Sequence, residues 1–458
     1  MTTHALPPLP ENMVLKKGAE FAPQLSPAAA WYFADEWVGV DTLRMPSLPF
    51  WLAAPEHYSG IKIQIDKSTL VFADATCRKY TLTAALPSNP TFINDATLQY
   101  FSQRLVSIRA TIESSNESSK APSETPIENG ECNETLQLRT IWPQDWRLLD
   151  SETQTVAHWR NVIAVGTANA SKKFTSYEIW KRQQAEMPRS FLGLILNGAQ
   201  GDDDEAHGGH LALVFGDWQK NGDISQWWVA NFYNPDVVSE KGILPAITTL
   251  DNYLCDLNCG QQQYRPSWLI GCALADELPV ERIYASLHET MNALYSHAFV
   301  YQHTVNNCTG LTMDALRYAG LNVPMKGPSS RLLAPFLFLY KLVQERNWEA
   351  AKSAFQYFNA ERTRLLPYVG FKHSIRHIMR ILRGKMLPAS ELEASLLSNT
   401  CAVYGMHFPQ IPSARPLGRE PVSSVFQYQN RVPGKRENWK IIPVPPRPFP
   451  DHLRFTKS

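Results

Sequence analysis

The sequence predicts an α+β protein in which an antiparallel sheet packs on helices, flanked by a mixed or β-rich N-terminal region and a C-terminal helical extension. Three observations carry this reading. Ser190 to Asn197, Gly209 to Phe215 and Ser225 to Tyr233 are apolar runs bounded by glycine and polar clusters, the pattern of buried strands. Pro279 opens PVERIYASLHETMNALYSH, in which Ile283, Leu287, Met291 and Leu294 fall at the three- and four-residue spacings of an amphipathic helix. Residues from Leu332 to about Met386 read as mainly helical.

A chain of 458 residues exceeds one ordinary domain and predicts about two or three. Hydrophobic residues at 44 % and charged residues at 19 % fall in the globular range, which excludes wholesale disorder. With 44 basic and 43 acidic side chains the net charge is +1, so there is no global electrostatic footprint for nucleic acid and any basic surface must be local. The start, MTTHALPPLPENMVLKKG, lacks the charged n-region and long apolar stretch of a secretory signal. The longest apolar run, Leu332 to Tyr340, falls well short of the roughly 20 residues that span a bilayer. Seven scattered cysteines fit reduced thiols better than a disulfide framework. The expectation is a cytoplasmic protein, or one exported without a Sec signal, and not a transmembrane one.

Five regions follow in order. Residues 1–111 are the mixed or β-rich region, with Ile61 to Ile65 alternating apolar and polar at strand period. Residues 112–135 hold six glutamates and one lysine with almost nothing to bury, which predicts a disordered acidic linker. Residues 136–325 carry the clearest strands and helices. Within them Asn221-Gly222 between two strand-like runs is the strongest short-range hairpin signal. Residues 326–400 form the helical extension. From 401 to 458 proline punctuation predicts an extended tail.

The chemistry points to Cys308. In Asn306-Asn307-Cys308-Thr309-Gly310 an asparagine is placed to cap a helix that stops near Gly320, putting the cysteine in its first turn. A helix N-terminus offers unpaired N–H groups and partial positive charge, which stabilise a thiolate and lower its pKa, and the same groups can receive an oxyanion. Asn307 and Thr309, flanking the thiol, are the candidate oxyanion and substrate contacts. Such a nucleophile needs a base. His210 opens the apolar strand of His207-Gly208-Gly209-His210-Leu211, where a rigid element fixes the ring and Gly209 leaves room for substrate. A two-residue Asn221-Gly222 turn places His210 opposite Tyr233, with Asn231 two residues away on the same face. Either can orient the imidazole, and Asn231 is preferred because an amide oxygen accepts the ring N–H. A sulfur about 3 to 4 Å from a His210 nitrogen is the expected geometry.

Gly209-His210-Leu211-Ala212-Leu213, followed by Tyr301, Asn307-Cys308-Thr309 and a helix, resembles the circularly permuted, NlpC-type papain-like superfamily. In that superfamily the histidine strand precedes the cysteine helix. The lead-in helix makes the Lnb-type lipoprotein transacylase domain the most similar member. The resemblance spans roughly residues 190 to 320. It implies a permuted papain-like core and thiol-dependent hydrolysis or transfer of acyl groups on amides, esters or lipids, through a thioester intermediate and without cofactor. The acidic stretch before His210 and the lack of membrane helices depart from that pattern.

Other readings compete. The carboxylates of 202–205 with His207 and His210 match no zinc or EF-hand spacing and read as a solvated loop, so no metal is expected. Cys255 and Cys259 lack a second pair and read as packing or loop thiols. From Arg362 to Met386 lie seven Lys or Arg and no acid, with Phe371, Ile375, Ile378, Met379 and Leu382 on one helical face. Such a helix can lie on an anionic membrane, or its apolar face can pack on its own domain. The expected partner is an acyl or peptide substrate, and oligomeric state is left open. A binding or scaffold protein that retains the core is the non-enzymatic alternative.

Overall fold

The computed structural model describes residues 13–21, 34, 36–41, 49–64, 69–72, 79–84, 95–114, 134–149, 153–168, 173–198, 208–233, 244–255, 265–295 and 306–409. The chain opens with β1 (Met13–Lys17), α1 (Gly18–Phe21), β2 (Trp37–Asp41) and β3 (Phe50–Ala53). It continues through β4 (His57–Gln64), β5 (Thr69–Phe72), β6 (Lys79–Ala84), α2 (Asp95–Ser102), β7 (Val106–Ser114) and β8 (Glu134–Pro143). After β9 (Gln154–Thr155) and α3 (Arg160–Ala168) come β10 (Thr175–Lys181), β11 (Ser190–Asn197), β12 (His210–Asp217) and β13 (Trp228–Tyr233). Next are β14 (Leu244–Thr249), α4 (Leu250–Cys255), β15 (Ser267–Leu274), α5 (Leu278–Tyr295) and α6 (Cys308–Tyr318). The described chain ends with α7 (Leu333–Glu345), α8 (Trp348–Asn359), α9 (Arg362–Leu365), α10 (Pro367–Leu382), α11 (Glu391–Asn399) and β16 (Thr400–Phe408).

Large mixed sheets and helices make this an α+β fold. One 11-stranded sheet runs β1-β2-β3-β14-β13-β12-β11-β15-β16-β10-β9, and β4-β5-β6-β8-β7 closes into a barrel. In β11, β15 and β16 every residue is buried. Their largely apolar character on both faces, rather than at alternate positions, is what two-sided coverage demands. Alternate residues feed two cores. Leu192, Leu194, Leu211, Leu213 and Ile270 face the core that holds α5, α6 and α10. Phe191, Ile195, Ala212, Val214 and Leu269 face the core shared with the barrel and α4.

Several expectations change. The N-terminal region is β-rich, but it divides between two bodies: β1 to β3 extend the large sheet through the parallel β3–β14 pair, and β4 to β8 make the barrel. The ends of the 112–135 segment are strand, since Glu113 and Ser114 of β7 pair Thr135 and Glu134 of β8; its middle lies outside the described residues. Residues 401–408, read as the start of an extended tail, are instead the buried strand β16 between β15 and β10. The prolines beyond 409 masked a largely apolar nine-residue stretch of the kind a central strand position requires. Residues 410–458 lie outside the described residues.

The helical extension also divides. α10 and α11 pack on the sheet, whereas α7 buries only Ala334 and leaves Phe336 and Val343 exposed. The apolar face of α10, with Phe371, Ile375, Met379 and Leu382, is buried against the sheet, so its packing is intramolecular. No helix among the described residues is long and apolar enough to cross a membrane.

Barrel and sheet meet across a buried ion pair. Arg109 on β7 reaches Asp251 on α4 at 2.8 Å with both side chains essentially inaccessible, and its second arm donates to Gln226 Oε1 at 2.6 Å. Removing one partner strands a buried charge. Asp251→Ala is expected to cost about 3–5 kcal/mol in urea unfolding, and Arg109→Met with Asp251→Leu less than the sum of the single changes. Additive losses would mean the pair contributes nothing as a unit.

Candidate active site

The expected helix start is present. Asn307 caps α6 by accepting the Gly310 N–H at 2.7 Å, and its amide nitrogen donates to Leu365 O at 3.2 Å, so the turn is held from both sides. Cys308 is the first residue of the helix and is partly exposed, while Cys255, Cys272 and Cys401 are buried. Thr309 is fully buried, with its hydroxyl 3.8 Å from the Cys308 sulfur. Gly370 on α10 lies against this turn. A Cβ there would come within 2.8 Å of Thr363 O and 3.0 Å of Thr309 Cγ2, so only glycine permits the approach.

The hairpin differs from a two-residue turn in length but not in register. Twelve residues, 216–227, separate the last paired residues Phe215 and Trp228, with Gly222 at φ +70 closing a turn whose N–H donates to Gln219 O. The excess over the two-residue turn is symmetric, five residues to each side of Asn221-Gly222, so the register is the one expected: Leu213 pairs Ala230 and Phe215 pairs Trp228. Asn231 therefore lies on the His210 face, and its Oδ1 sits 2.7 Å from His210 Nε2. Both residues are buried. This bond fixes Nε2 as the protonated nitrogen and leaves Nδ1 as the basic one. The Tyr233 side chain, His207, the acidic stretch 202–205 and Tyr301 lie outside the described residues. Gly209, at φ +84, turns the chain into β12 in a conformation that favours glycine.

No hydrogen bond joins Cys308 to His210, and the strand pleat explains why. His210 continues the Ala212–Val214 row, and its ring lies 6.2 Å from that of Tyr253 in the barrel-side core. Cys308 packs on the opposite core, with Leu211 and Leu213. The expected Cys–His hydrogen bond is thus replaced by a contact one residue along. The β12–β13 ladder covers only Leu213 to Phe215, so Leu211 leaves its backbone open on that side. α6 fills the gap: the Leu211 N–H acts on the Cys308 thiol, and Thr312, one turn on, donates to Leu211 O at 3.5 Å.

The electrostatics also depart from the expected thiolate. Burial pushes the Cys308 thiol up, against the downward pull of the N–H of Leu211, the Thr309 hydrogen bonds and the Arg265 charge. The helix terminus does not overcome desolvation. Burial likewise drives His210 down to about 3, opposed by the Asn231 bond and reinforced by Arg265. Both groups rest neutral near pH 7.

Arg265 acts on both groups and was not legible as a site residue. It precedes β15, is buried, and donates from Nη1 to Gly198 O at 3.2 Å. Around His210 the sheet ends in polar side chains: Asn197, its register partner, donates to Ser267 Oγ at 2.7 Å and accepts from the Tyr253 hydroxyl. The sequence signal was Asn197 ending one apolar run and Ser267 opening another. Among the described residues no group of three His, Cys, Asp or Glu is placed to hold a metal.

A depressed histidine pKa fixes the sign of a pH effect. Below about pH 6.5 the unfolded chain binds a proton that the folded chain refuses, so stability falls with pH until about 3. The slope is at most about 1.4 kcal/mol per pH unit for one proton. His210→Gln should flatten the urea-unfolding stability profile between pH 6 and 4, and His210 should show neutral-ring NMR shifts throughout; an unchanged slope would show that the ring titrates normally. No protein-family model, curated protein or solved structure matches the chain.

Proposed function

We propose that the protein is a cysteine-dependent hydrolase or acyltransferase acting on an acyl ester or amide, with Cys308 as nucleophile in a permuted papain-like core. The observation that carries the reading is the placement of Cys308: the one partly exposed cysteine among the described residues, in the first turn of a capped helix and beside the residue next to an Asn-oriented histidine. In the reaction the thiol proton passes to His210 as sulfur attacks the acyl carbon. The leaving alcohol or amine takes that proton, and water or a second acceptor resolves the thioester. The N–H groups of the α6 first turn and of Leu211 are donors for the developing oxyanion.

Because both groups rest neutral and apart, this reading requires the imidazole to reach the sulfur when substrate is bound. The unpaired start of β12, from His210 to Ala212 on the β13 side, is where that movement is cheapest. A second reading has its own support. With His210 and Cys308 facing opposite cores, the sulfur serves as a hydrogen-bond acceptor for Leu211 and the protein is a non-catalytic binding or scaffold protein.

The two separate on intact-protein mass after exposure to a p-nitrophenyl acyl ester. The enzymatic reading expects one acyl adduct on Cys308, lost in Cys308→Ala, with ester turnover falling about 10²-fold or more in His210→Gln. No adduct, with turnover unchanged in Cys308→Ala, leaves the scaffold reading. Alkylation by iodoacetamide without substrate should rise through and above pH 9, following the raised thiol pKa. A rate already at plateau near pH 7 would show a resting thiolate instead.

A further inference from the structure

We propose that the exposed face of α10 is a binding site for a ligand carrying two or more phosphate groups. Two adjoining cavities line it. One, of about 120 Å³, is walled by Pro324, Lys326, His373, Arg376, His377 and Arg380. The other, of about 240 Å³, is walled by His158, Trp159, Arg376, Met379, Arg380, Arg383 and Lys385. Arg376 and Arg380 belong to both, one helical turn apart, so a ligand spanning the cavities meets the same two guanidinium forks from either side.

The charge around these cavities is one-sided. Arg376, Arg380, Arg383, Lys326 and Lys385 make no ion pair among the described residues. Two other basic residues of the 362–386 stretch are placed differently: Arg364 pairs with Asp314, and Lys372 lies over the Tyr368 ring at 5.9 Å. The carboxylate behind the first cavity, Glu393, is fully buried and already taken by His377 at 2.7 Å and the N–H groups of Asn322 and Ala389. It cannot turn outward to neutralise the arginines. The proximity of the cations shows in His373, driven down to about 4 by burial and by Lys326, Lys372, Arg376 and Arg362. Such crowding destabilises the free protein and is relieved by an anion. In a chain of net charge +1, this face is a local concentration, not a reflection of composition.

The apolar side of α10 is committed to the core, which removes insertion of this helix into a bilayer as its use. What stays available is recognition of phosphate, offered either by a soluble polyphosphorylated molecule or by anionic headgroups at a membrane surface. The inference is independent of Cys308 chemistry.

Isothermal titration of the full chain with inorganic tripolyphosphate is the test. It should show one site, weakening at least tenfold between 50 and 200 mM salt and at least tenfold in Arg376→Gln/Arg380→Gln, whose exposed positions leave the melting temperature unchanged. Lys341→Gln, on the far helix α7, should bind as the parent does. Flotation on phosphatidic acid vesicles distinguishes the sources: vesicle binding lost in the double variant assigns the headgroup, and tripolyphosphate binding without flotation assigns a soluble ligand. No heat at millimolar tripolyphosphate, or equal affinity in the double variant, overturns the proposal. So does a single-stranded oligonucleotide that binds and is not displaced by tripolyphosphate.

Discussion

Coverage of the large sheet on both faces is the constraint from which the rest of the structure follows. Once helices cover one side and the barrel the other, the central strands have no solvent face, and each residue must be apolar, small or hydrogen-bonded. β11, β15 and β16 are buried along their whole length. Polar side chains at one end of the central strands are paired, Asn197 with Ser267 and His210 with Asn231. At about 1.5–3 kcal/mol for each fully buried aliphatic side chain, the two cores outweigh any single polar contact in fixing the register.

The same constraint divides the candidate site. A sheet buried on both faces has two interiors, and the pleat sends successive residues to alternate ones. His210 goes with Ala212 and Val214 to the barrel side; Leu211 goes to the helix side and meets Cys308. Burial then acts on both groups in one direction, toward neutrality, raising the thiol and lowering the imidazole. Desolvation exceeds the contribution of the helix terminus because the sulfur is surrounded by packed atoms rather than open to water. Arg265, buried at the start of β15, is the charge common to the two halves.

α10 shows the two sides of one helix put to separate uses. Its apolar residues complete the core over β11 and β12, and Gly370 lets it touch the Cys308 turn. Its basic residues, displayed outward without acidic partners among the described residues, form the rim of two cavities. The amphipathic pattern that suggested a membrane surface is satisfied internally on the apolar side. Only the charge is left for an external partner.

The sequence by itself determined the α+β class, the α5 and α6 helices with the Asn307 cap, and the register that sets Asn231 beside His210. These are local: periodicity, capping and turn symmetry act over a few residues, and a symmetric loop preserves register whatever its length. It left open which core each strand face looks into, because a strand apolar at every position carries no alternation to read. Only the tertiary structure decided that His210 and Cys308 face different interiors, that residues 400–408 enter the sheet, and that the charge of Arg265 acts on both groups. Those outcomes depend on which element covers which face, a matter of contacts between residues a hundred or more positions apart.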